Sequence, residues 1–332
     1  MRCTETDTGK TLQRPRIRYG STARAPAAPR TPTPTAVPPS VSGARALPSA
    51  QHTLHIEPGI LASFGRIRPL LIHNPTIALH DGALRAIVRV RYESNRAWHT
   101  TNIFGRIDTR SWAFVEQRIM KDHAPGTRFA HGHTHGYEDC RLFVLGGKLA
   151  ASATVCDRLP HDKWPKIAVL ALSGDGDVVD AAVQPSPRHE KNWMPFVYGG
   201  SLHFVYSVDP LLVLHYDEAS RRVQPLPADI GAPGSTIRGG SQLVPYGDGF
   251  LAVVHEMLAP GPRYLHRFVR FDREVRPVRT SEPFFFQQLG IEFCTGLAPV
   301  GDEFVLSYGV NDRQPRLAVV SKDVVAAMVG AS

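Results

Sequence analysis

The stretch Glu138-Asp139-Cys140-Arg141 sets two carboxylates and a guanidinium directly before a run of strand-forming residues. Other apolar runs open in the same polar way, with Asn74, with Glu190-Lys191-Asn192-Trp193, with Arg238 before Gly239-Gly240, and with Glu292. Arg89 and His255 stand within the strand-like runs "AIVRV" and "FLAVVHE". A carboxylate can give or take a proton at a reacting oxygen, and Lys or Arg can hold an anion. An aromatic beside polar groups, as Trp193 is, makes a floor for a sugar ring. One acid or base among several cations is therefore the chemistry these residues offer.

The elements that must position them read as strands. Helical periodicity is nearly absent after residue 55, whereas short alternating or apolar runs closed by Gly/Asp turns recur. The clearest are "NPTIALHDGALRAIVRV", "EDCRLFVLGGKLAASATV", "EKNWMPFVYGGSLHFVYSV", "RGGSQLVPYGDGFLAVVHE" and "EFCTGLAPVGDEFVLSYGV". Aligned on their turns, Asp81, Gly146, Gly199, Gly247 and Gly301 fall in register at spacings of 65, 53, 48 and 54 residues. A period near 50 with several strands per unit predicts propeller blades, and runs such as "KIAVLALS", "LLVLHYD", "YLHRFVRFD" and "RLAVVSK" supply outer strands. A β-sandwich would explain the strands but not five similar openings. The expected fold is all-β, a five-bladed β-propeller over residues 53–326.

In a propeller the innermost strands converge on the axis, so the openings line one mouth of a funnel. The register makes Asn74, Asp139 and Asn192 equivalent, with Glu138, Lys191, Gly239 and Phe293 nearby and Glu190, Arg238 and Glu292 one step earlier. The first interval is long by about a dozen residues, and the excess holds "HGHTHG", a loop expected to fold over the opening. Its alternating His131, His133 and His135 could face one way, but no spaced carboxylate or cysteine set completes a metal site, and no metal is expected.

Composition narrows the classes. Of the +8 formal charge, +6 falls in residues 1–50, which leaves the rest of the chain nearly neutral and argues against a nucleic-acid reader. Residues 21–50 hold seven Pro and eight Ala with few large apolar side chains, so residues 1–52 are expected to be a disordered tail. No 18-residue apolar run suggests a membrane span, and Cys3, Cys140, Cys156 and Cys294 form no disulfide framework, so a cytoplasmic protein is expected.

Taken in order, "NP" at the first opening, "EDxR" at the second, "KN" at the third, "GG" before "GDGFLAVVH" at the fourth and "GLAPVGDEFVLSYGVNDRQPRLA" at the fifth resemble glycoside hydrolase family 130. That family comprises β-mannoside phosphorylases with related mannosidases and mannosyltransferases, and the resemblance spans residues 70 to about 320. It implies a five-bladed propeller in which Asp139 is the proton donor, acting through a sugar hydroxyl while phosphate attacks with inversion. It makes Arg141, Lys191 and His255 the cations around the phosphate or the reducing end, while Asn74, Arg89, Glu138, Glu190, Asn192, Trp193, Arg238 and Glu292 are expected as further substrate contacts. Cys140 stands where the family has proline, "HE" replaces "HG" after the fourth hairpin, and Arg238 precedes the double glycine, departures that bear on the phosphate step. Two flanking carboxylates serve an ordinary glycosidase. Related hydrolases carry the base at the first opening, where this chain has Asn74. The expected function is glycosyl transfer or cleavage, most simply of β-mannosyl units by phosphorolysis, with a nucleotide-sugar transferase or a silent glycan-binding propeller as alternatives. No cofactor is expected beyond phosphate or a nucleotide sugar as co-substrate, and the expected partner is an oligosaccharide or sugar phosphate.

Overall fold

The computed structural model describes residues 43–126, 128–129, 134–159, 164–224, 236–261 and 263–331. Their strands form five sheets, arranged as a β-propeller. The first contains Leu70–His80, Ala83–Ser94, Ala97–Asp108 and Ala113–Ile119, and the short Thr134–His135 pairs parallel to its third strand. The second contains Glu138–Leu145, Lys148–Val155, Lys166–Leu172 and Val178–Val183, and the third Met194–Tyr198, Ser201–Val208, Leu211–Asp217 and Arg222–Val223. The fourth is built on Val244–Tyr246, Gly249–Leu258 and Arg263–Phe271, with Ile237–Gly239, Pro277–Thr280, Phe284–Phe285 and Arg45–Ala46 added. The fifth runs Glu292–Val300, Glu303–Val310, Gln314–Ser321 and finally Ala50–Thr53.

The five aligned turn positions share one backbone state. Asp81, Gly146, Gly199, Gly247 and Gly301 have φ of 49°, 56°, 59°, 60° and 54°. Two-residue hairpin turns need this left-handed region, which glycine enters freely and Asp tolerates, so the sequence repeat reports a shared backbone need. The anticipated outer runs are strands as well, each third in its sheet. Consecutive residues of the inner strands are buried, so both of their faces pack against the rest of the propeller; Ile77, Leu142, Phe204, Leu251 and Leu297 are fully buried.

Part of the stretch 1–52, expected as a tail, is built into the sheets. Arg45–Ala46 pairs with Phe284–Phe285, Leu47 is buried in the core, and Ala50–Thr53 is hydrogen-bonded to Arg316–Val319 as the edge of the fifth sheet. Proline and alanine richness misplaced the boundary because these short strands draw on backbone pairing more than on large apolar side chains. Residues 1–42 lie outside the described residues.

Along the axis the inner strands are tied by polar groups. Thr76 Oγ1 accepts from the Leu142 amide at 3.0 Å, and Thr295 Oγ1 donates to the Pro75 carbonyl at 2.7 Å. Gln242 donates to the carbonyls of Ile77 and Leu297 at 2.7 and 2.8 Å. Each bond joins different sheets, which fixes the openings relative to one another.

Candidate active site

Three of the five openings depart from regular strand at the position the register picked out. Asn74, Asp139 and Asn192 have φ of 46°, 47° and 62°. The ladder slips between His73 and Thr76 and between Glu138 and Arg141. Such a bulge re-aims a side chain out of the pleat, and Asn and Asp are the residues other than glycine that accept left-handed φ most readily. The side chains of Asn74, Asp139 and Asn192 thereby turn into one cavity of about 590 Å³. The close approach also dictates bare backbone opposite: a Cβ on Gly309 would lie 2.2 Å from Asn74 Oδ1.

Asp139 is the centre of this cavity. Its Oδ1 accepts from Asn74 Nδ2 at 2.8 Å and from Arg89 Nη1 at 2.7 Å, while Arg89 Nη2 lies 3.1 Å from Glu138 Oε2. Both bonds fall on one oxygen, which leaves Oδ2 for the cavity. Burial alone would raise the Asp139 pKa, but the Arg89 charge, the Asn74 amide, and the nearby His73 and Arg141 outweigh it and hold the carboxyl far below the ordinary carboxylate range. Asp139 rests as a carboxylate.

The anticipated cations separate into three cases. Lys191 is exposed on the cavity wall and has no ion-pair partner among the described residues. Arg141 is 1% exposed, and its guanidinium is spent inside the protein: Nε donates to Gly240 O at 2.7 Å, Nη1 to Asp139 O at 3.1 Å and Nη2 to Asn192 Oδ1 at 3.1 Å. It braces three openings and faces no cavity. His255 lines the cavity, but burial, with nearby His266, Arg141 and Arg238, pushes its pKa down to about 3, so it is a neutral imidazole and not a cation.

Other anticipated contacts are structural. Trp193 is 1% exposed, packs on Phe204 and Tyr206 and donates from Nε1 to Glu190 Oε2 at 3.2 Å, so it offers no open ring face to a sugar. Glu190 also accepts from Ser186 Oγ at 2.6 Å. Glu292 is fully buried and accepts from the amides of Phe286, Gln287 and Gln288 at 2.6, 2.9 and 3.1 Å, which fastens the turn ahead of its own strand. Burial raises its pKa against those three bonds. Glu190 and Arg238 border an adjoining cavity of about 500 Å³ that shares Lys191, Asn192, His255 and Tyr264 with the first.

Several lining residues were not anticipated: His73, Arg91, Thr134, Tyr264 and Asp312. His73 lies 3.4 Å from Asp312 across the first and fifth sheets, and this contact holds the Asp312 carboxyl below its usual value. The signal for Asp312 is a hairpin tip where Asn311 and Asp312 take φ of 52° and 51°, at positions glycine would fill more easily. The inserted loop does reach the opening, since Thr134 joins the wall, and His135 stacks on His99 with ring centroids 4.9 Å apart. His131 and His133 lie outside the described residues. Cys140 and Cys294 are buried free thiols pushed up by burial to about 12, in keeping with apolar wall residues.

No family profile and no curated protein sequence matches the chain. Solved structures do. An enzyme of the family 130 mannoside phosphorylases, described among glycoside hydrolases that target β-1,2 mannosidic linkages in Candida mannan, is 14% identical with a TM-score of 0.57, over 77% of this chain and 86% of that one. The β-1,2-mannobiose phosphorylase of Listeria innocua, bound to β-1,2-mannobiose, is 12% identical at 0.57, over 79% and 95%. A mannose phosphorylase of Leishmania mexicana in complex with phosphate is 11% identical at 0.54, over 87% and 92%. At these identities the likeness is one of fold, and the fold is that of the family the sequence resembles. It marks the chain as similar to carbohydrate-active enzymes.

Proposed function

We propose that this chain moves a mannosyl or similar glycosyl unit between phosphate and the hydroxyl of an acceptor sugar, in the cavity floored by Asp139. The five sheets are read as five blades whose openings share that cavity. One observation carries the proposal: the Asp139 carboxylate lines the cavity with Oδ1 gripped by Arg89 and Asn74, and shares that cavity with Lys191, which has no ion-pair partner among the described residues. In the direction of synthesis, the acceptor hydroxyl attacks the anomeric carbon of a sugar 1-phosphate with inversion. Asp139 takes the hydroxyl proton and Lys191 holds the departing phosphate. In phosphorolysis the steps reverse, and Asp139 must first acquire a proton.

A second reading has its own observation. The adjoining cavity carries Arg238 and shares Lys191, so a nucleoside diphosphate could take the place of phosphate as the leaving group. The test is to incubate the protein with a mannose acceptor and either α-mannose 1-phosphate or GDP-mannose, following release of phosphate or GDP. Phosphate release, reduced by about 100-fold or more in Asp139→Asn, is expected. GDP release alone moves the assignment to the second reading. Mannoside binding with neither donor consumed replaces the enzyme with a glycan-binding propeller.

A further inference from the structure

The cavity contains a second cation that glycosyl transfer to phosphate does not use. Arg89 and Arg91 lie two residues apart on the same strand, and both line the cavity, while Val90 between them is buried in the core. Alternation thus places Arg91 one rung, or about 6–7 Å, further from the Asp139 floor on the same wall. The two arginines then diverge. Arg89 is neutralised by Asp139 and Glu138, whereas Arg91 makes no ion pair or hydrogen bond among the described residues, and its buried Nε has no partner.

The guanidinium of Arg91 is nonetheless held. Its Cζ sits 4.0 Å from the centroid of the Trp98 ring. Trp98 is fixed on both sides, paired with Glu93 on one strand and with Thr134 of the inserted segment on the other. Stacking on an indole restrains a guanidinium without consuming its N–H groups, which lie in its plane and remain free for an oxyanion. Arginine presents those donors as a fork that matches carboxylate or phosphate oxygens.

We propose that Arg91 is a specificity-determining residue, which selects a substrate carrying an oxyanion on the sugar that sits next to the one held at Asp139. This rests on the reading of the cavity as a glycoside site. A neutral sugar would leave the unpaired charge of Arg91 partly desolvated, and an acidic one would pair with it, so the selection works against neutral substrates as well as for acidic ones. The oxyanion can be a sugar carboxylate or a sugar phosphate, and the two call on the same donors.

The test is calorimetric titration of the full chain with mannose, mannuronic acid and mannose 6-phosphate, for wild type, Arg91→Gln, Arg91→Lys and Lys191→Gln. In the wild type at least one acidic sugar is expected to bind about tenfold tighter than mannose, and the better of the two identifies the group. That preference disappears in Arg91→Gln, is reduced in Arg91→Lys, which keeps the charge without the fork, and persists in Lys191→Gln. Melting temperatures within two or so degrees of wild type show that the variants are folded. Equal binding of all three sugars overturns the role of Arg91 and leaves the glycoside site standing. A preference that survives Arg91→Gln and vanishes in Lys191→Gln assigns the anion to Lys191 instead. Failure of every sugar to bind removes the proposal together with the reading beneath it.

Discussion

At the mouth of the axis the inner strands present Asn74, Asp139 and Asn192, whereas at the other end the same strands present Leu79, Phe143, Val144 and Val197 around a pocket of about 300 Å³. The mouth is built from bulges and left-handed residues, and its charges are poised by one another. The far end is regular strand with apolar walls, closed by the Gln242 amide. A strand that pairs fully has no spare backbone group to offer a ligand. The contrast shows how one repeat divides its labour: at three of the openings the first residues turn out of the pleat to face the cavity, while most of the residues that follow secure the core.

The largest effect that would separate the two ends is at Asp139. Asp139→Asn keeps the shape and the Asn74 and Arg89 contacts but not the ability to take a proton, so turnover of mannose 1-phosphate is expected to fall about 100 to 10,000-fold with mannose binding retained. The same variant reports on acid stability. Because the folded Asp139 pKa is depressed, its contribution is present above the ordinary carboxylate value and is lost as pH falls. The melting-temperature gap between wild type and Asp139→Asn should therefore close on acidification below about pH 4. A gap that stays constant from pH 7 to pH 3 would show that Asp139 is not held ionised.

Next in size is Arg141, which braces the mouth without touching the cavity. Arg141→Met strands the carbonyls of Gly240 and Asp139 and the Asn192 amide oxygen, and chemical denaturation should show a loss of about 3–5 kcal/mol. An unaltered midpoint would return Arg141 to the list of free cations. At the far end, Gln242→Leu breaks the cross-sheet bonds to Ile77 and Leu297 and should cost about 1–3 kcal/mol while leaving kcat unchanged. A change in kcat there would mean that the two ends are coupled. The smallest effect belongs to the chain ahead of the sheets: deletion of residues 1–42 should leave the melting temperature unaltered, and deletion through residue 54 should lower it by removing two paired strands and Leu47.

How much of this was legible depended on what the backbone demands of a residue. The five turns and the equivalence of Asn74, Asp139 and Asn192 could be read because left-handed φ restricts residue choice, and that restriction repeats along the chain. The fate of each charge could not. Arg141, Trp193, Glu190 and Glu292 have residue types that suit a sugar site, yet each is taken up inside the protein, Arg141 by Gly240 and Asn192 of other openings, Trp193 and Glu190 by each other, and Glu292 by the amides of the turn before its strand. Arg91 and Asp312 were passed over for the converse reason. They lie outside the aligned openings, one at the next rung of a long strand and the other at a hairpin tip brought to the mouth by the ring of sheets.

The edge strand Ala50–Thr53 has a consequence for biogenesis. Its partner, Gln314–Ser321, leaves the ribosome long after it, so the earlier sheets can form while Ala50–Thr53 still waits for the strand it pairs with. During that interval the backbone of Ala50–Thr53 is an unpaired edge able to pair with another chain, and closure demands a contact between segments far apart in the sequence. The slow, concentration-sensitive stage of folding is thus the fastening of the ring, and crowded nascent chains would exchange this strand before any other.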